Sequence, residues 1–509
     1  MFRESKIVRH AQKHPLIPQS YSRSFIKDNA IVIVGHVLIY MHGIILMPVI
    51  IKTVGVTVYG GFVLLSSILG ITFGLSSFGA GFRAKRFMPS AGDMATRRDL
   101  FYPQFFFQMV SVCSLSLLLI LLNRPINAYF FKSEFSYSVC IIPVFLVLYF
   151  LYSQGSDYFR YTSRVHYMTA ATLSFPYIHI GLILIFFYCC GYINVNILVL
   201  SQALSAFLIV IPCFLIIFRE IGFKFVLYRV NNLISDIKLG FPLVLSFLVD
   251  FILAASDRYV IALYMTVLAV GSYNPGYVLG SAIIFIPKAM GTALPQLMSR
   301  AVDSENQYDA ERMLNYAIKI FLLLAIPFVF GSMILGRPIL TLLANSEVAE
   351  MAYLITPIVA LGTLFYGLNV ILSNALFVRM KTYAMFKMNL IASIFNLLAN
   401  LFLLYFFRNI IVAAITSFLS YGIAFMYINK IVTADWPVDF QPVVILKSVA
   451  ASLFMAALLF WVSDKTDVIS VSMVAGQLTL GIVGYIVGLF ALGTFTKKEL
   501  QFVKSWICG

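Results

Sequence analysis

Four charged residues stand inside long apolar runs: Asp250, Asp257, Arg258 and Lys288. All belong to one hairpin of two such runs, at about 239–263 and 275–298. Asp250 lies near the middle of the first run, with Asp257 and Arg258 about two helical turns beyond it, and Lys288 lies near the middle of the second. An ion at the centre of a membrane span costs at least ~2.5–3.5 kcal/mol, so it faces a cavity or a partner. Two readings stand side by side. Arg258 and Lys288 form a cationic pocket for an anionic group, because a guanidinium fork takes phosphate oxygens two at a time. Alternatively, Asp250 with Lys288 and Asp257 with Arg258 are structural ion pairs or cavity carboxylates that neutralise their neighbours. The first apolar run carries His36 and His42, and His36 precedes Asp250 by 214 residues. A histidine and a carboxylate facing one cavity can hold or relay a proton; a lone membrane histidine more often packs through a hydrogen bond. Arg83, Lys85 and Arg86, in a basic connecting loop, suit capture of an anionic head group, although membrane orientation alone accounts for their charge.

The same offset orders the whole chain. Apolar stretches begin near Lys27, Gly61, Leu100, Tyr137, Met168 and Asn196, and again near Leu239, Pro275, Asn315, Met351, Ala384 and Asn409. Tyr59 maps on Tyr273, Ser67 on Ser281 and Arg86 on Arg300. Two further runs follow, at 443–462 and 470–494. Each is long enough to cross a hydrocarbon core of ~30 Å as a helix. The chain is 61% hydrophobic and 11% charged, with a mean hydropathy of +0.93. The expected fold is an all-α polytopic membrane protein of fourteen transmembrane helices: two six-helix lobes related by a pseudo-two-fold axis, plus two C-terminal helices. Its expected parts are a basic N-terminus (1–26), a first lobe (27–218), an amphipathic linker (219–238), a second lobe (239–431), a final helix pair (432–494) and a tail (495–509). In the linker, Phe223, Val226, Leu227, Val230, Leu233, Ile234 and Ile237 fall at helical spacing, which predicts a helix lying on the membrane surface.

With the N-terminus inside, the inner segments hold 26 of the 36 Lys and Arg residues and the outer loops 6, so both termini are expected in the cytoplasm. The net charge of +15 is then a topology and anionic-lipid signal and does not point to nucleic acid. The six cysteines show no CxxC spacing, which favours apolar filler over metal or redox chemistry. No metal-ligand set, cofactor motif or nucleotide-binding glycine loop appears. The outer loops are short, which leaves little room for an enzyme domain. A secondary transporter is expected.

The stretch Leu239 to Arg300 carries a Gly-x-Pro span start, the Asp257-Arg258 pair late in that span, a Gly-x-Tyr before the next span and a Pro near its end. Gly55, Tyr59 and Gly60 match in the first lobe. This pattern resembles the polysaccharide transporter family, which includes the Wzx O-antigen flippases, within the multidrug/oligosaccharidyl-lipid/polysaccharide exporter superfamily. The resemblance implies a V-shaped cavity and outward passage of an undecaprenyl-pyrophosphate-linked oligosaccharide across a bacterial inner membrane. The product would serve O-antigen, capsule or exopolysaccharide assembly. It implies Asp257 and Arg258 as the family's pair, a polyprenyl-pyrophosphate glycan and membrane lipids as partners, and contact with polymerase and chain-length machinery. The first span departs from the family in offering histidines and no arginine. A cation-coupled multidrug exporter and a lipid II flippase are the alternatives.

Overall fold

The computed structural model describes residues 23–132, 139–226, 228–304, 306–463 and 469–494; the side chains of residues 23–34, 36, 292 and 293 lie outside the described set. No strand forms among the described residues. The first lobe comprises α1 (Arg23–Val54), α2 (Val56–Ser76), α3 (Met94–Leu121), α4 (Ile141–Tyr161), α5 (Val165–Cys190) and α6 (Val195–Ile221). The second begins with α7 (Val230–Tyr264) and a bent element, α8a (Val267–Gly280) and α8b (Phe285–Asp303). It continues with α9 (Gln307–Leu343), α10 (Ile355–Val378), α11 (Thr382–Phe407) and α12 (Ile410–Asp435). The last pair, α13 (Pro442–Ser463) and α14 (Val471–Ala491), packs on α9. There the Tyr485 hydroxyl donates to the Leu323 carbonyl at 2.7 Å.

The repeat is visible in helix starts. Met94, Ile141, Val165 and Val195 precede Gln307, Ile355, Thr382 and Ile410 by 213, 214, 217 and 215 residues. Packing repeats as well: α4 and α5 each pack on α6, and α1 on α5, just as α10 and α11 pack on α12, and α7 on α11. Even the turn chemistry recurs. Gly191 ends α5 in the left-handed region at φ 72° and Asn194 caps α6; Arg408 ends α11 at φ 44° and Asn409 caps α12. These caps satisfy terminal amides that lack a helical partner.

Twelve single helices are long and apolar enough to cross a membrane among the described residues, thirteen when α8a and α8b count as one span bent by 45°. The expected count of fourteen is not reached because α4 falls short. Its last turns carry Ser153, Gln154, Ser156, Asp157 and Arg160, which lower its hydropathy, and Ser153, Gln154 and Asp157 line a cavity described below. The surface helix expected over 219–238 does not form as a unit. Gly222, at φ 65°, ends α6, and helix resumes at Val230 as the first turns of α7. The stretch between is held by its ends: Tyr102 donates to the Gly222 carbonyl at 2.5 Å, and Tyr228 donates to the Ala80 carbonyl at 3.0 Å.

The lobes meet at both faces of the bundle. On the face opposite the basic loop, Gly60 of α2 lies against Gly271 of α8a, so close that a Cβ on either would meet the other helix's backbone. One buried apolar core continues across this boundary, from Leu64 and Leu198 to Val267 and Ile355. On the basic face, Gly79 at φ 82° meets Gly240 of α7, again backbone on backbone. Only glycine permits both that φ and that approach. Around it the contact is polar: Asp236, fully buried, accepts from Tyr228 at 3.0 Å and lies 3.9 Å from Arg83, while Lys224 reaches Asp99 at 3.3 Å.

Candidate functional site

A cavity of about 410 Å³ opens halfway between the two faces, chiefly in the second lobe. Asp250 and Leu253 of α7, Lys288 of α8b and Asn389 of α11 line it, with Tyr277, Tyr366 and Tyr421; α1 of the first lobe contributes Tyr40. The sequence-expected Asp250 and Lys288 therefore share one cavity. They do not pair directly: among the described residues no ion pair joins them. Asp250 accepts from Asn389 Nδ2 at 2.8 Å, and the Lys288 ammonium lies 5.4 Å from the Tyr40 ring centroid. Both side chains are exposed to the cavity space. Lys288 and four tyrosine rings with hydroxyl donors offer charge-assisted hydrogen bonds and ring contacts to an anionic, amphipathic group, while Asp250 on the same cavity opposes that charge unless it carries a proton.

Arg258 and Asp257 are placed differently. They form an ion pair of 3.7 Å whose side chains are almost wholly buried. Asp257 also accepts from Tyr273 at 2.5 Å and from the Arg258 backbone N–H at 2.9 Å. Arg258 donates to Asn274 at 2.9 Å and to the Ala254 carbonyl at 2.8 Å, and its guanidinium stacks 4.7 Å from the Tyr277 ring centroid. Asn274 in turn donates to the Tyr59 hydroxyl at 2.6 Å. This network joins α7, α8a and α2 beside the Gly60–Gly271 contact, so Arg258 belongs to the latch between lobes. The Tyr277 ring stands between it and the cavity of Lys288.

The other expected residues scatter. His42 sits between α1 and α5, its ring 6.3 Å from His179 and 6.4 Å from Tyr177. The His36 side chain, and with it the expected pairing with Asp250, lies outside the described residues. Arg83 is drawn to Asp236, Arg86 is exposed beside Phe87, and Lys85 lines a second cavity. No group of histidine, cysteine and carboxylate side chains able to hold a metal occurs among the described residues.

Sequence reasoning missed the cavity tyrosines, Tyr40, Tyr277, Tyr366 and Tyr421, and the two asparagines, Asn274 and Asn389. Tyrosine is enriched at membrane–water interfaces, so a tyrosine in a span reads first as an interface anchor and not as part of a mid-depth cavity. Tyr273, Asn274 and Tyr277 do fall within one helical turn of each other, a cluster that the spacing could have revealed.

Comparison with known proteins fits this geometry. No curated protein sequence matches the chain. Among solved structures, a lipid II flippase MurJ in an inward closed conformation aligns with TM-score 0.70 at 16% identity, over 91% of this chain and 98% of that one. An inward-facing multidrug resistance MATE family transporter aligns with TM-score 0.62 at 14% identity, over 84% and 98%. A MOP superfamily transporter from Pyrococcus furiosus aligns with TM-score 0.54 at 14% identity, over 80% and 96%. These likenesses establish the fold. The MatE family model matches residues 242–402. The family model described as polysaccharide biosynthesis protein matches residues 25–301, more than half of the chain. The chain belongs to the polysaccharide biosynthesis protein family, within the superfamily of multidrug, oligosaccharidyl-lipid and polysaccharide exporters.

Proposed function

We propose that this protein is a flippase that moves a polyprenyl-pyrophosphate-linked oligosaccharide from the inner to the outer leaflet of a bacterial plasma membrane by alternating access. The glycan would then enter O-antigen, capsule or exopolysaccharide assembly. The observation that carries this reading is Lys288 on the wall of a tyrosine-lined cavity at mid-depth, between two lobes that touch at both faces. A pyrophosphate needs a cation where water is scarce, and the lobes supply alternate exits. The basic face would be cytoplasmic, with both termini on that side, as the lysine and arginine distribution requires. Arg83, Lys85 and Arg86 would meet the anionic head group as it enters. Asp250, with or without His36, would carry the proton that resets the empty carrier.

A cation-coupled multidrug exporter is the second reading, favoured by the MatE match over 242–402. A cationic drug would be drawn to Asp250 and repelled by Lys288, the mirror of what an anion meets there, so the cavity's charges alone do not separate the two readings. A lipid II flippase is a closer variant of the first reading, differing in the glycan. The deciding experiment reconstitutes the protein in liposomes with fluorescent polyprenyl-pyrophosphate glycan in the inner leaflet equivalent. Outer-leaflet exposure that needs Lys288 supports the flippase; drug efflux without lipid exposure selects the exporter.

A further inference from the structure

A second cavity, of about 250 Å³, opens on the basic face between the first lobe and the start of α7. Its walls are polar in an unusual way: three glutamines, Gln104 and Gln108 of α3 and Gln154 of α4, project into it. Gln154 donates to the Gln108 amide oxygen at 2.8 Å, and Gln108 donates to Ser76 at 3.4 Å. Two polar atoms in this set have no protein partner although they are buried, Gln104 Nε2 and Gln154 Oε1; the two side chains are 3% and 4% exposed. A buried donor and a buried acceptor left without a protein partner are unfavourable and call for a partner from outside the chain, water or a ligand. The charged residues on the wall are one of each sign, Lys85 and Asp157. The site is therefore close to neutral. Phe73 and Phe247 supply apolar surface, one from each lobe, with the Phe247 ring packed against Gly74 beside Phe73.

We propose that this cavity is a sugar subsite, taking one hexose or N-acetylhexosamine ring of the glycan while the cavity of Lys288 takes the phosphate. The proposal rests on the flippase reading and adds to it the place and chemistry of glycan recognition. Glutamine amides present both a donor and an acceptor, which is what vicinal hydroxyls or an acetamido group require. Aromatic rings cover the apolar C–H faces of a pyranose. The volume suits one ring and is below the ~300–1,000 Å³ of larger ligand sites. Because Gly79 and Gly240 also line this cavity, an occupying sugar touches the contact that shuts the basic face. Glycan arrival is thus positioned to bias closure.

The test measures binding to purified protein in nanodiscs, with bare undecaprenyl pyrophosphate and with the same lipid carrying one glucose, one galactose or one N-acetylglucosamine. Wild-type protein should bind at least one sugar-bearing lipid about tenfold more tightly than the bare lipid. Gln104→Met, similar in length but without the amide, should remove that tenfold preference and leave bare-lipid binding intact. Phe247→Leu, which trims the apolar lining, should reduce the preference without touching the amides. Lys288→Ala should weaken all the lipids together. The sugar subsite is refuted if no sugar improves on bare lipid, or if the variants weaken bare and sugar-bearing lipids alike. If wild-type protein binds none of these lipids, bare lipid included, the flippase reading itself fails.

Discussion

The latch between Tyr59, Asn274 and Arg258 yields a prediction whose size can be worked out. Tyr59→Phe deletes one hydroxyl and leaves the ring in place. With the lobes closed at the face opposite the basic loop, Asn274 Nδ2 then loses its 2.6 Å partner in a site where both residues are about 5% exposed or less. An unpaired buried donor costs about 1–3 kcal/mol. Once that face opens, water reaches Asn274 and the penalty vanishes, so the substitution acts on one state only. The equilibrium should shift toward the open state by about 5- to 150-fold. Tyr188, at the end of α5, and Met351, before α10, are exposed on that face in different lobes. Spin labels at Tyr188→Cys and Met351→Cys, with the six native cysteines replaced, report their separation by pulsed electron resonance. The longer-distance population should grow in Tyr59→Phe. An unchanged distance distribution in a variant that melts at the wild-type temperature would refute the latch.

Four further outcomes are expected. Lys288→Ala should reduce lipid flipping in proteoliposomes to the protein-free background at normal protein abundance, with Lys288→Arg partly active. Arg258→Ala should lower stability by about 3–5 kcal/mol, because it leaves Asp257 buried and unpaired, and adding Asp257→Ala should recover much of that loss in thermal unfolding. Gly240→Val should prevent closure at the basic face, since any Cβ there meets the Gly79 backbone, and raise maleimide labelling of Ser77→Cys. Outward movement of an anion from a negative interior is favoured by about 2.3 kcal/mol per charge per 100 mV, so flipping should slow when the potential is collapsed, and Asp250→Asn should alter its pH profile.

Much of the architecture is legible in the sequence because membrane spans announce themselves by length and hydropathy, and the repeat by its constant offset. Depth alone puts Asp250 and Lys288 at one level, mid-span in adjacent antiparallel helices; that both face one cavity is read from the structure. Arg258 could not be placed that way. Successive residues on a helix point about 100° apart, so adjacency to Asp257 says little about what Arg258 faces. Its main partners, Asn274 and Tyr277, lie on the next helix. The linker misled because apolar periodicity continues from it into α7, while one glycine at positive φ decides where helix stops. The three glutamines are illegible in the sequence because an uncharged amide in a span carries little cost and so marks neither depth nor face.

Both glycine contacts involve the α2 segment, one at its first turns and one just past its last, and this makes that helix a seesaw. From Gly60 to Ser76 the helix measures about 24 Å at 1.5 Å per residue. A tilt of about 12° pivoting on Gly60 would therefore swing the other end by about 5 Å, the width of one chain, with Gly271 as the fulcrum. Pivoting at Gly79 on Gly240 does the reverse. Each contact is thus the bearing for the other's opening, and a bearing works only while it stays seated. Mechanical coupling of this kind would let one face open at a time without any signal passing between them.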